Sequence, residues 1–542
     1  MLFNSIEFIV FLIIVYLIYR ILPHRKQNIF LLIASYFFYG WWDARFLYLI
    51  IVSTSVDFSC GLMIKDGKIN RNERWITALW LVFGSFLFLP IRWNELVKII
   101  IDEKLNFSSL IYPKGFILAC VATIFTILFL YITKILGKLE ERKRKKVFLV
   151  ISVVTNLTIL GFFKYFNFFI DNLKEVLSII NISIDVATLS IILPVGISFY
   201  TFQTMSYTID IYRGKLMPTK KFTNFALFVA FFPQLVAGPI ERAKRLLPKL
   251  EKPRKIRFRQ SFEGIKLIIF GLFKKVVIAD GVARTVNQVF ESQGKSSWLE
   301  IVIATFFFSI QIYCDFSGYS SIARGVGKLL GIELMRNFKF PYLSKNPKEF
   351  WTRWHISLSS WLRDYLYIPL GGNRKGKGRT YINLILTMLL GGLWHGASWN
   401  FVLWGFYHGI LLSIHRKISS LFINKNERNI FIYVIKIFIF FSITCYGWML
   451  FRASSLEQII NYTKIFFNDF GNLSFSVEMP RFAALVGLPV LVIIELIQNQ
   501  IETNRKLINM PKIIWSGLYA VIFLAFLMGM SNESSQFIYF AF

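Results

Sequence analysis

The sequence predicts an all-α protein that passes repeatedly through a membrane, on three observations. Of its 542 residues, 55% are hydrophobic and 18% aromatic, and the mean hydropathy is +0.54. Soluble globular domains sit near about 45–50% apolar. Apolar runs of helix-crossing length, about 18 residues or more, recur from one end of the chain to the other. Finally, no run alternates apolar and polar residues at strand period between regularly spaced turns, as a membrane barrel would.

Taken in order, the apolar runs give fourteen candidate crossings: 5–22, 28–42, 44–64, 75–91, 115–136, 147–170, 190–211, 264–279, 298–318, 381–394, 397–413, 430–451, 481–497 and 513–530. The first run has no basic leader and no small-residue cleavage pattern, so it is expected to be a retained span rather than a signal peptide. No soluble domain, linker, low-complexity tract or internal repeat interrupts the series. A single integral-membrane domain over 1–542 is the expectation, with helices at 430–542 closing it.

Charge supports the same picture and sets an orientation. The 62 Lys and Arg outnumber the 31 Asp and Glu, for a formal charge of +31. The basic residues cluster in short loops between spans, where they report topology, so nucleic acid is not an expected partner. The segments 65–74, 138–146 and 213–221 should be cytoplasmic. Single crossings between them then put the N-terminus and the longer loops 92–113 and 171–189 outside. The four cysteines, Cys60, Cys120, Cys314 and Cys445, stand singly in apolar sequence and make no metal-ligand spacing. They read as small apolar residues, and no metal is expected.

Two segments break the alternation. Residues 222–238 are apolar, but basic sequence flanks both sides, with nine basic residues against one acidic in 242–259. A stretch that enters and returns on one face fits, because its Pro233 and Gly238 break helices and bent backbone is tolerated when buried in protein. Residues 319–379 are too polar for a span. They are expected to form amphipathic or half-inserted helices on the cytoplasmic side, carrying His355, Arg363 and Asp364.

Residues 350–409 concentrate the chemistry. They hold three of the five histidines, His355, His395 and His408, and two of these follow tryptophans, in Trp354-His355 and Trp394-His395. Ionisable groups in membrane-type sequence are costly and mark function by default. The apolar run 381–394 covers only about 21 Å at 1.5 Å per residue. His395, Gly396 and Ser398 interrupt before apolar sequence resumes. His395 should therefore lie at a break between helices within the membrane's thickness. His408 reads as structural, and His24 and His415 as residues of solvated basic loops.

Several stretches together resemble the membrane-bound O-acyltransferase family: PVGISFYTFQTMSYTIDIYRG from Pro194, FFPQLVAGPIERA from Phe231, CDFSGYSSIARG from Cys314, and the 350–409 block. The likeness covers most of the chain and is densest over 190–415. It is strongest to the bacterial alginate and peptidoglycan O-acetyltransferase membrane subunits. The ending FIYFAF, from Phe537, is also similar to alginate-type members. The resemblance implies a ring of tilted helices with re-entrant segments around a thinned centre, where funnels from both faces meet. It places the family's catalytic histidine on His395 and its second polar position on His355. One departure is Ser321, where many bacterial members carry Asp, although Asp315 is present nearby.

The implied reaction is transfer of an acyl group, acetyl by preference, from a cytosolic thioester such as acetyl-CoA to a hydroxyl of an extracytoplasmic polysaccharide in the bacterial inner membrane. The acceptor is either the glycan itself or an exported SGNH-type acetyltransferase that relays the group. No resident cofactor is implied. A histidine suits removal of the hydroxyl proton, and the thioester oxyanion needs donors, for which Trp394, Ser398, Asn400 and the Gly396 backbone are near enough in sequence. Gln203, Asp315, Ser317, Arg363 and Asp364 complete the candidate substrate-binding set, with Arg353, Arg374, Lys375 and Arg379 as further basic groups for donor phosphates. Two alternatives stand. One is D-alanyl or other acyl transfer from an acyl carrier protein within the same family. The other is a polysaccharide transporter, disfavoured because the irregular segments have no counterpart in the first half.

Overall fold

A computed structural model describes residues 1–88, 113–182, 188–236, 238–292, 296–419, 429–503, 512–529 and 537–538. The extracytoplasmic assignment of 92–113 falls almost wholly outside the described residues, as does the end of the closing motif. Helices dominate and no strand occurs among the described residues. The fourteen apolar runs all fall on helices, wholly or over most of the part described. Among the described residues, six helices are long and apolar enough to cross a membrane by length and composition: Ala44–Lys65, Ala119–Leu136, Glu141–Ile179, Trp298–Leu329, Ile430–Arg452 and Phe482–Glu502. The protein is a polytopic all-α membrane protein.

The chain divides into two compact units, 1–257 with 329–332, and 258–328 with 333–542. The first contains α1 (Ile6–Ile21), α2 (His24–Gly40), α3 (Leu47–Lys65), α4 (Arg71–Ser85), α5 (Pro113–Leu136) and α6 (Glu141–Leu160). It continues with α7 (Phe166–Ile179), α8 (Ile197–Tyr212), α9 (Phe222–Ala230), α10 (Phe232–Leu235) and α11 (Ala243–Glu251). Its centre is polar. Asp57 of α3 is fully buried and accepts hydrogen bonds from Ser152 Oγ at 2.5 Å and Asn156 Nδ2 at 2.7 Å, both on α6. The Asn156 carbonyl oxygen in turn accepts from Ser53 on α3 and Thr204 on α8. Three helices are thus joined by side chains that satisfy one another, the usual use of polar groups between membrane helices.

The segment 222–238 is a broken helix. The nine residues of α9 rise only about 14 Å, and Phe231 is extended before α10 begins. Its loosened backbone is satisfied by neighbours, as buried irregular chain requires. Both Gln203 and Gln234 donate to the Phe228 carbonyl at 2.7 Å, and Ser35 Oγ accepts from the Phe232 N–H.

The second unit contains α12 (Phe258–Leu272), which runs through a π-helical stretch, Phe273–Ala279, into α13 (Asp280–Glu291). After it come α14 (Trp298–Leu329), the short α15 (Pro347–Arg353) and α16 (Ile356–Leu362), α17 (Lys377–His395) and α18 (Trp399–Ser419). The unit closes with α19 (Ile430–Arg452), α20 (Leu456–Asn468), α21 (Phe482–Thr503) and α22 (Lys512–Gly529). Within 319–379 the chain first continues as helix to Leu329 and only then breaks into short pieces. The polar segment is therefore shorter than the sequence pattern suggests. The cysteines also differ from one another: Cys60 and Cys314 are buried, while Cys120 lies on an exposed face.

The close pairing of α17 and α18 sets the position of His395. A Cβ on Gly392 would stand 2.1 Å from the Phe401 carbonyl oxygen, and one on Gly405 2.3 Å from that of Met388. The backbones touch at both points, an approach that only glycine permits.

Candidate active site

His395 is the last residue of α17, and the chain turns extended at Gly396 before α18 begins at Trp399. The ring is 4% exposed and sits in an aromatic cage. Its centroid lies 5.1 Å from Trp394, 5.1 Å from Trp404 and 5.5 Å from Phe451, each nearly perpendicular to it. Edge-to-face packing of this kind contributes about 0.5–1.5 kcal/mol per pair beyond area burial and fixes the ring plane.

His355 reaches the same place from a different segment. It precedes α16, is fully buried, and lies 6.5 Å from the His395 ring and 5.9 Å from Trp394. Phe316 of α14 packs edge-on against it at 4.7 Å. Its backbone is left-handed, with φ of +41°, which costs a non-glycine residue about 1–3 kcal/mol and persists only where surrounding contacts over-determine it. Two histidines forty positions apart thus converge inside an aromatic shell.

The remaining candidates distribute unevenly. Trp394 is part of the shell. Ser398 is half-buried in the turn that follows His395. The amide nitrogen of Asn400 donates to the Phe451 and Ala453 carbonyls at 3.3 and 2.8 Å, so both of its N–H groups cap the end of α19 and are unavailable to an oxyanion. Asp315 is buried in α14 and ion-paired at 3.1 Å with Lys275, which also holds Asp280 at 2.8 Å. Its other oxygen accepts the Ile538 N–H at 2.7 Å. Phe537, at the start of the closing motif, stacks 4.2 Å from Tyr319 and lies 6.0 Å from Phe316. Asp315 therefore ties this end of the chain to the wall beside His355. Ser317 lines a cleft described below.

Other candidates make contacts of their own. Arg363 is well exposed and donates to its neighbour Asp364 at 2.8 Å. Gln203 belongs to the first unit, where it holds the Phe228 carbonyl. His408 packs flat on Phe350 and beside Trp404, inside the aromatic core.

Two features were not read from the sequence. One is Asn337, whose side chain touches both His355 and Ser357. It is a single polar residue in irregular sequence, and no periodicity marks it. The other is a cleft of about 260 Å3 lined by Lys274, Ser317, Arg324, Arg336, Asn337 and Glu495, among others. Lys274 pairs with Glu495 at 2.8 Å at its side. Basic residues scattered over the π-helical stretch Phe273–Ala279, α14 and the 336 segment give no linear pattern, so only folding collects them.

A buried histidine pair, caged by aromatic rings, thus sits inside a polytopic helical membrane protein. Comparison with known proteins says which kind. Residues 213–455 match the model of the membrane-bound O-acyltransferase family. A probable alginate O-acetylase of Pseudomonas aeruginosa is 36% identical over 496 residues, 90% of this chain and 79% of the relative. A peptidoglycan O-acetyltransferase of Helicobacter pylori is 33% identical over 412 residues, 71% of this chain and 73% of the relative. A teichoic acid D-alanyltransferase of Streptococcus thermophilus is 33% identical over a shorter 235 residues, 41% of this chain. The chain belongs to the membrane-bound O-acyltransferase family, and it is a multi-pass membrane O-acyltransferase.

Proposed function

We propose that this enzyme moves an acetyl group from acetyl-CoA, supplied on the cytoplasmic side of a bacterial inner membrane, to a hydroxyl on the outer side. That hydroxyl belongs to an envelope polysaccharide or to a serine of an exported SGNH-type acetyltransferase that relays the group. The convergence of His355 and His395, with rings 6.5 Å apart in a buried aromatic shell, is the observation that carries this reading. The acetylase names of the relatives that span most of the chain favour acetyl and a polysaccharide acceptor.

In the proposed reaction His395 takes the proton of the acceptor hydroxyl as its oxygen attacks the thioester carbonyl carbon. The carbonyl terminus of α17 favours the positive charge that then resides on the ring. The tetrahedral oxyanion collapses, the carbon–sulfur bond breaks, and the imidazolium returns the proton to the departing thiolate. The Asn400 amide is committed to α19, and the Trp394 indole N–H and the Ser398 hydroxyl are the proposed side-chain donors to the oxyanion. His355 serves beside His395 as the second acid–base group of the shell. Arg324 and Arg336, which line the same cleft as Asn337, attract an anionic donor, and the exposed Arg363 contributes at longer range. The two units act together as one catalytic domain over 1–542.

The test is acetyl transfer by the purified protein in nanodiscs, with radiolabelled acetyl-CoA and with an acetyl- or D-alanyl-charged carrier protein in parallel. Release of CoA that vanishes in His395→Ala at unchanged folding supports the assignment. Equal turnover in His395→Ala overturns it, and turnover with the charged carrier alone replaces acetyl-CoA as donor.

A further inference from the structure

We infer that Asn337 is the positioning residue that fixes the tautomer of His355, holding the proton on Nδ1 and leaving Nε2 as the basic nitrogen. The inference deepens the acyl-transfer reading and rests on it for its kinetic consequence, though not for its geometry.

The argument begins with a backbone N–H, whose direction no rotamer can change. Ser357 N–H points at the Asn337 side-chain oxygen at 3.1 Å, and Ser357 Oγ donates to the same oxygen at 2.9 Å. An amide nitrogen there would face a donor with donors. The Asn337 orientation is therefore fixed, with its carbonyl oxygen toward 355–357. Its nitrogen correspondingly points to Ser320 Oγ, at 3.4 Å.

His355 Nδ1 lies 3.2 Å from that same carbonyl oxygen. A carbonyl oxygen only accepts, so Nδ1 must carry a hydrogen; a lone pair there would oppose lone pairs. Ser357 Oγ, at 3.4 Å from Nδ1, agrees, because its own hydrogen is used on Asn337 and it can only accept from the ring. A neutral imidazole has one N–H. With Nδ1 protonated, Nε2 is the nitrogen that accepts a proton or a hydrogen bond, and the partner of one nitrogen thereby sets the role of the other.

The surrounding backbone holds this arrangement rigid. Ile356 N–H donates to the Asn337 main-chain carbonyl at 2.9 Å, and Lys339 N–H to the Arg353 carbonyl at 2.9 Å. Residues 337–339 thus run alongside 353–356, and Asn337 caps α16 from another part of the chain. His355 precedes the helix but offers it no side-chain cap. These bonds over-determine the left-handed turn at His355. Strain, cap and tautomer all depend on one asparagine, which also lines the polar cleft.

The experiment is solid-state NMR of the full-length protein in lipid, labelled with 13C,15N-histidine. There are five histidines, and His355 is assigned by the signal that disappears in His355→Gln. The nitrogen coupled to Cδ2 is Nε2. The expected result is an unprotonated Nε2 in the wild type at neutral pH, and a protonated Nε2 overturns the inference whatever the donor proves to be. In kinetics, Asn337→Leu is expected to lower kcat on the order of 100-fold with donor KM within about threefold, as a misdirected acid–base residue does. Asn337→Asp keeps the acceptor and should recover most of the loss. Ser357→Ala keeps the backbone N–H, and so should preserve the tautomer and cost less than about threefold. A tautomer change in Ser357→Ala, or full kcat in Asn337→Leu, defeats the proposal. If Asn337→Leu fails to fold, the wild-type tautomer and Ser357→Ala still decide it.

Discussion

Two buried polar centres of this protein, one around Asp57 and one around His355 and His395, are built in opposite ways. The Asp57 carboxylate is met by short hydrogen-bonding side chains from α6, and those are met in turn by hydroxyls of α3 and α8. The partners come from three packed helices and their demands cancel. The histidines are instead bounded mainly by aromatic faces, which exclude water and fix ring planes. The difference teaches how to tell glue from chemistry in a membrane core. The first centre is hydrogen-bonded to itself, whereas the proposed reactive histidines are bounded by rings and, at His355, contacted by one asparagine.

Substitutions can break or sharpen that contrast. The largest effect is expected for His395→Ala, which should lower turnover by about 10³-fold, within the range that proton transfer contributes. Its thermal unfolding midpoint should fall only by what losing the ring's three aromatic contacts accounts for. A large loss of stability with intact turnover per folded molecule would make His395 glue as well. Next comes Gly392→Ala, whose Cβ collides with the Phe401 carbonyl and must separate α17 from α18. A shift near 1 Å at a reacting group costs on the order of 10²-fold, so turnover in nanodiscs should fall by about that factor.

Asp57→Leu should do the reverse of His395→Ala. It strands Ser152 and Asn156 at about 1–3 kcal/mol each at most, and membrane measurements favour the lower end. Yield and unfolding midpoint should drop while turnover per folded molecule stays within about twofold; a large loss of turnover at wild-type stability would give Asp57 a part in chemistry. The smallest effect is expected for Arg363→Gln. An exposed ion pair contributes little, so donor KM should rise about twofold at low salt and return to the wild-type value as salt screens the charge. A salt-independent increase would mean direct contact with the donor.

The centre of the site was legible because sequence grammar is interrupted there. His395 ends an apolar run at Gly396, and the structure has a helix end at that residue. His355 was legible as a histidine beside tryptophan in amphipathic sequence. Asn400 misled because proximity along the chain says nothing about direction: its amide turns toward α19 and caps a helix whose sequence lies fifty positions away. Arg363 stands differently, as a basic residue near the motif whose exposed side chain pairs with its neighbour Asp364. Asn337 escaped notice because it acts through residues eighteen to twenty positions later.

By itself the sequence determined that this is a helical membrane protein, where its helices break, and which histidines interrupt apolar stretches. Those properties follow from local hydropathy and from residues that stop helices, so they are written in linear order. The tertiary structure alone decided which groups face one another: that His355 and His395 share a shell, that Asp315 holds the closing segment, and that Asn337 orients a histidine. Such pairings depend on contacts between segments distant in sequence, and on directions of N–H and C=O groups that exist only once the backbone is folded.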